Sequence, residues 1–172
     1  LRENAQAEQS FERAISYAPD DPDVRHNYGW FLCQTGRVDR GIASFHAAIK
    51  NPLYKAAAKS NMQAGLCLLN NSNNDAEAMR YFERAEQVDP DYAPVLLPHA
   101  QLLFRRGDID GARTLVNRYN GLADPSAESL WLALRIERRR GDQVGETSYG
   151  SQLRRRFPMS KEARALELGQ YQ

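Results

Sequence analysis

The sequence predicts an all-α fold: a superhelical solenoid of antiparallel helix pairs, closed by a C-terminal capping helix. Three observations lead there. Motifs return at a fixed spacing of 34 residues: "SFERAI" at 10–15 is followed by "SFHAAI" at 44–49, and Ala78/Ala112 and Gly107/Gly141 keep the same interval. Apolar helical stretches between the copies end in Gly or Asn turns, "QTGR", "NNSNND", "RRGDID" and "RRGDQV". Asp-Pro and Asn-Pro steps stop the second helix of several pairs, because Pro cannot continue a helix and restricts the residue before it.

The elements follow in order within one domain, 1–172. Residues 1–21 read as the second helix of a truncated unit, marked by Phe11, Ala14 and Pro19. Full units are expected at 22–55, 57–91, 92–125 and 126–158. Gly29, Gly65 and Ala100 let the first helix of a unit approach the second. Phe45 and Phe82 fill the space beside them, and Ala48 and Ala85 face the next unit. One such pair cannot bury its apolar face alone, so neighbours stack. The unit at 126–158 departs from the pattern: Glu146 and Gly150 stand where a small residue and an aromatic are expected. Gly145 and Gly150 should each weaken that helix by about 1 kcal/mol relative to Ala. This pair is expected to be the least stable. Residues 159–172 read as the capping helix, with Ser160 as its N-cap.

A 34-residue helix–turn–helix period is that of the tetratricopeptide repeat. In such a solenoid the first helix of each unit lines a concave groove. The inward positions include Asn27, Trp30, Cys33 and Gln34, then Met62, Gln63, Leu66 and Asn70. Gln101, Phe104 and Arg105 follow, and then Trp131, Arg135 and Arg138. Aromatic anchors among amides and arginines suit peptide binding. Trp30 is read as a groove residue, because Tyr28, Phe31 and Leu32 already supply the packing side. Trp131 is read equally as groove or as interhelix packing. Pro94 and Pro98 occupy places where a carboxylate clamp would need cations.

Composition narrows the function. Lys and Arg number 23 against 22 Asp and Glu, a net charge of +1, which does not suit a nucleic-acid binder. No apolar run approaches the roughly 18–20 residues of a membrane helix. No phosphate loop, HExxH or nucleophile elbow is present, so no catalytic residue, cofactor or metal is expected. Arg138–Arg140 and Arg154–Arg156 read either as cations at helix C-termini or as a basic patch for an acidic partner or anionic lipid. Cys33 and Cys67 lie at similar heights on adjacent first helices. Facing positions there can reach disulfide distance, or can hold two small buried thiols.

"NYGWFLCQTGR" at 27–37, "NPLY" at 51–54 and Asn61, Gly65 and Cys67 in that order resemble the PilW/PilF family of type IV pilus biogenesis and stability proteins. The resemblance runs over most of the chain, to "RRRFPMSKEA". It implies a non-enzymatic, pilotin-like lipoprotein. Such a protein sits on the periplasmic face of the outer membrane through a lipidated N-terminal Cys. It promotes localisation and multimerisation of the pilus secretin. It also implies that Cys33 and Cys67 are paired, and that Asn27, Tyr28, Trp30 and Asn61 form or support the groove, with Asn61 read equally as a structural hydrogen-bonder within its helix pair. The chain opens inside a helical pattern, so a fragment lacking the lipidated Cys is expected, and a monomer.

Overall fold

The computed structural model describes residues 2–72 and 74–171. Leu1, Asn73 and Gln172, which the sequence reading assigns to the first helix, a turn and the capping helix, lie outside the described residues. Among those described there are ten α-helices and no strand. They are α1 (Arg2–Tyr17), α2 (Pro22–Gln34), α3 (Val38–Ile49), α4 (Ala57–Asn71) and α5 (Asp75–Val88), then α6 (Ala93–Arg106), α7 (Ile109–Leu122), α8 (Ala127–Arg140), α9 (Gln143–Arg156) and α10 (Lys161–Glu167). They form two compact units, Leu1–Val95 and Leu96–Gln172.

In the first unit, local chemistry sets the helix starts. Asp21 caps α2, its carboxylate accepting from the Asp23 and Val24 amides, with Pro22 at the first helical position. The Asn74 side chain caps α5 through the Glu77 amide. Packing then depends on size matching. A Cβ at Gly29 would lie 3.0 Å from the ring of Phe45, and one at Gly65 would lie 2.5 Å from the ring of Phe82. The glycines therefore admit two aromatic rings that are fully buried. Each ring contributes about 1.5–3 kcal/mol by leaving water. Phe11 of α1 packs on Tyr28 and Phe31, with ring centroids 5.4 Å apart in both pairs. Glu8 ties the same helix down: it pairs with Arg37 at 2.5 Å and Arg40 at 3.0 Å. The hydrogen bond from Arg37 holds its carboxyl below the usual range.

The second unit starts its helices in the same way. Asp108, Ser126, Asp142 and Ser160 cap α7, α8, α9 and α10, and Ser126 and Ser129 form a reciprocal capping box. Pro98 lies inside α6, where its ring nitrogen cannot donate to the Pro94 carbonyl. Leu130, Leu134, Leu153, Ala163 and Leu166 make one core cluster from α8, α9 and α10.

One expectation changes here. The capping helix expected over 159–172 occupies only Lys161–Glu167. Gly169 takes a left-handed conformation, φ 67°, and the Gln170 amide bonds back to the Ala165 carbonyl. That arrangement stops the helix and turns the chain. The glycines of α9 also sit where it meets α8. A Cβ at Gly145 would lie 2.8 Å from Glu137 Cγ, and one at Gly150 would lie 3.3 Å from Leu134 Cδ1. Both mark close approaches of α9 to α8.

Candidate functional site

Each unit presents its own cleft. In the first unit, α2 and α4 run side by side and are joined by a Cys33–Cys67 disulfide, with Cα atoms 5.6 Å apart. Both cysteines are buried. Gly41 makes room, since a Cβ there would meet Cys33 Sγ at 2.5 Å. A cleft of about 240 Å³ lies over the disulfide, lined by Trp30, Gln34, Gln63, Leu66, Asn70 and Asn71. Trp30 is 49% exposed. Asn27 is exposed one turn earlier, on the face shared by Trp30 and Gln34.

Tyr28 and Asn61, named with the groove, lie behind it, Tyr28 on the packing side and Asn61 as a hydrogen-bonder within its helix pair. Tyr28 is buried against Phe11, and its hydroxyl accepts from Arg40 at 2.6 Å. It holds α1 onto α2. Asn61 is 2% exposed, and its amide nitrogen donates to the Ala57 carbonyl at 2.9 Å. Back-bonding within α4 uses the group that a ligand would need. Met62, read as inward, is buried as well. Behind this face, His26 Nδ1 lies 2.7 Å from Ser60 Oγ, which donates to the Tyr54 hydroxyl. Burial, and next the Lys59 cation, push the His26 pKa down from 6.5.

The cleft of the second unit is larger, about 750 Å³, and its chemistry differs. Gln101, Phe104 and Arg105 reach it from α6, and Glu128, Trp131, Arg135 and Arg139 from α8. Lys161, Glu162 and Ala165 close it from α10. The guanidinium of Arg135 lies 4.8 Å from the centre of the Phe104 ring, and that of Arg139 lies 5.7 Å from it. Gln101 donates to Glu128 at 2.6 Å. Burial, and then the charge of Arg139, push the Arg135 pKa down. A second cleft of about 560 Å³ shares Trp131 and Ala165 and adds Gly169, Gln170 and Tyr171. There Tyr171 stacks on Trp131 at 5.7 Å and 18°. Its carbonyl accepts from Arg135 Nε at 3.0 Å, and the Arg138 guanidinium sits 3.9 Å over its ring.

Trp131 therefore both packs on the core cluster and lines the clefts. Gln101, Phe104, Arg105, Trp131 and Arg135 are brought together in one unit, and Trp30, Gln34 and Leu66 in the other. Sequence reasoning missed Asn71, Lys161 and Tyr171, and read Arg139 only within the first arginine triplet. Gly169 was a usable signal for Tyr171, since glycine just beyond a helix marks its end. Both arginine triplets occupy last turns, those of α8 and α9, where cations complement the macrodipole. The first triplet does more. Arg138 pairs with Glu146 at 2.7 Å, and Arg140 pairs with Asp110. Among the described residues no group of three His, Cys, Asp or Glu could hold a metal, and no helix is long and apolar enough to cross a membrane.

The model of the tetratricopeptide-repeat family matches residues 2–124. The chain belongs to that family. This tetratricopeptide-repeat chain is 27% identical over 156 residues to the type IV pilus assembly protein PilF of Pseudomonas aeruginosa. The match takes in 91% of this chain and 62% of PilF, so the chain spans less than two thirds of that curated relative. The solved structure of Pseudomonas aeruginosa PilF superposes with a TM-score of 0.83 at 26% identity, covering 95% of this chain and 73% of that one. The crystal structure of PilW, described as a widely conserved type IV pilus biogenesis factor, gives 0.82 at 27% identity, with 96% and 76% covered. The likeness to PilW/PilF proteins, expected over most of the chain, thus covers 91% to 96% of it.

Proposed function

We propose that this chain is a non-enzymatic assembly factor for type IV pili. It acts on the periplasmic face of the outer membrane, held there by a lipid anchor in the full-length protein. It promotes localisation and multimerisation of the pilus secretin, which docks on the inward faces of its repeats at 22–55, 57–91, 92–125 and 126–158. The observation that carries this reading is the likeness to PilF over 91% of the chain. The Cys33–Cys67 disulfide supports it, because such bonds persist in oxidising compartments such as the periplasm. The exposed Trp30 over that disulfide offers the kind of aromatic contact area that anchors protein partners.

The test is the fate of the secretin in cells lacking the protein. Envelope fractions are probed on SDS gels for heat-resistant multimers. Loss of multimers, restored by the wild-type gene but not by Trp30→Ala, is the expected result. Unchanged multimers with normal piliation would leave a peptide-docking scaffold of another envelope complex.

A further inference from the structure

The cleft chemistry of the second unit specifies a ligand class, and residues 169–171 show how part of such a ligand is held. The Tyr171 ring lies against Trp131 and under the Arg138 guanidinium, while its carbonyl takes a hydrogen bond from Arg135. Side chain and backbone of one residue are thus both recognised, by stacking, a cation–π contact and a charge-assisted hydrogen bond. Only a short chain segment delivers Tyr171 to this place. The Gly169 turn and the bond from Gln170 to Ala165 end α10, and Gly169 and Gln170 are exposed. The adjoining 750 Å³ cleft continues from Trp131 and Ala165 towards Phe104. Four cations, Arg105, Arg135, Arg139 and Lys161, line it against two carboxylates, Glu128 and Glu162. Lys161 and Glu162 lie 3.7 Å apart and offset one another, Gln101 donates to Glu128, and the two arginines over the Phe104 ring outnumber that carboxylate. The balance favours an anion beside the Phe104 ring.

We infer that this cleft takes an extended acidic peptide carrying an aromatic residue, whose ring replaces that of Tyr171 on Trp131 and whose carboxylate lies with Arg135 and Arg139. Residues 169–171 are then a resident occupant that the partner displaces. The inference rests on the reading of the inward faces as protein-docking surfaces, and it supplies the chemistry of the partner segment.

The probe is a fluorescein-labelled hexapeptide, Asp-Tyr-Glu-Asp-Tyr-Glu, followed by anisotropy with the purified protein. A second version carries Lys at every acidic position, and a third carries Ala for Tyr. The expected result is binding of the acidic aromatic peptide alone. Arg135→Gln should weaken it about tenfold, the effect of one charge-assisted hydrogen bond. Arg154→Gln, on the last turn of α9 and outside the cleft, should leave it unchanged. Tyr171→Ala should strengthen binding several-fold with an unaltered circular dichroism spectrum. In a Trp30→Phe background Trp131 is the single tryptophan, and its emission should shift on peptide addition as Tyr171 leaves. Equal binding of the Lys peptide, insensitivity to Arg135→Gln, or weaker binding in Tyr171→Ala would overturn the inference. Binding to anionic phospholipid vesicles that the peptide does not compete away would overturn it in favour of a membrane surface. Peptide binding as expected with secretin multimers intact in the deletion strain would sink the pilus reading alone. A secretin defect with no peptide binding would sink this inference alone.

Discussion

In the unit Leu1–Val95 the first helix of each pair carries the glycine and the second carries the ring: Gly29 receives Phe45, and Gly65 receives Phe82. In the unit Leu96–Gln172 the last pair reverses this, and Leu134 of α8 fits against Gly150 of α9. The positions are equivalent. Gly29 and Leu134 stand the same number of residues after their N-caps, Asp21 and Ser126, and Phe45 and Gly150 after Arg37 and Asp142. Leu134 and Leu153 are both fully buried. What the two regions share is the sum of sizes across the interface, since close packing rewards filled volume whichever helix supplies it. The clefts differ in the same spirit. One is small, lined by amides and floored by a disulfide; the other is wide and lined by arginines over aromatic rings.

The largest effect expected from this comparison belongs to the disulfide. It closes a loop of 34 residues, so replacing both cysteines by Ser should cost about 3–4 kcal/mol. Hydrogen exchange should show the loss first at the amides around Phe45 and Phe82. Equal loss around Leu134 and Leu153 would mean that the staple does not distinguish the units.

The reversed interlock should give a smaller effect. Gly150→Leu should cost about 1–3 kcal/mol by overpacking against Leu134 and Leu166. Adding Leu134→Gly should recover part of that cost, giving a favourable coupling of about 1 kcal/mol in a double-mutant cycle of denaturant melts. Strictly additive costs would refute the size exchange.

The smallest effect is a pH dependence confined to the first unit. Burial and Lys59 lower the His26 pKa below 6.5, with Asp23 opposing them. The unfolded chain therefore binds the proton first as pH falls. Stability is fully present above about pH 6.5 and declines below it. Thermal midpoints measured between pH 8 and pH 5.5 should fall, and His26→Asn should flatten the slope. An unchanged slope in that variant would assign the dependence to other groups.

The helix pairs were readable because their signals are local. Caps, Pro steps and the 34-residue return of Phe and Ala act through neighbours a few residues away or through a strict period. The pairing of Cys33 with Cys67 was accessible for the same reason, since one period separates them. The departure at Gly150 was legible from residue types at a fixed position, but Leu134 across from it was not, because it lies on another helix. Asn61 stayed open between two roles because an amide looks alike whether it faces a ligand or bonds back to Ala57 within its own helix.

The sequence thus determined the all-α repeat fold and the family to which the chain belongs, because backbone propensity and repeat spacing are written into adjacent residues. Only the tertiary structure decided the form of the second cleft. Phe104, Arg135 and Tyr171 come from three separate segments, and the bond from Arg135 to Tyr171 spans 36 residues. Their meeting depends on where α10 stops and on how Gly169 turns the chain that follows. Side-chain direction across helices carries no period along the chain, so no local pattern announces it.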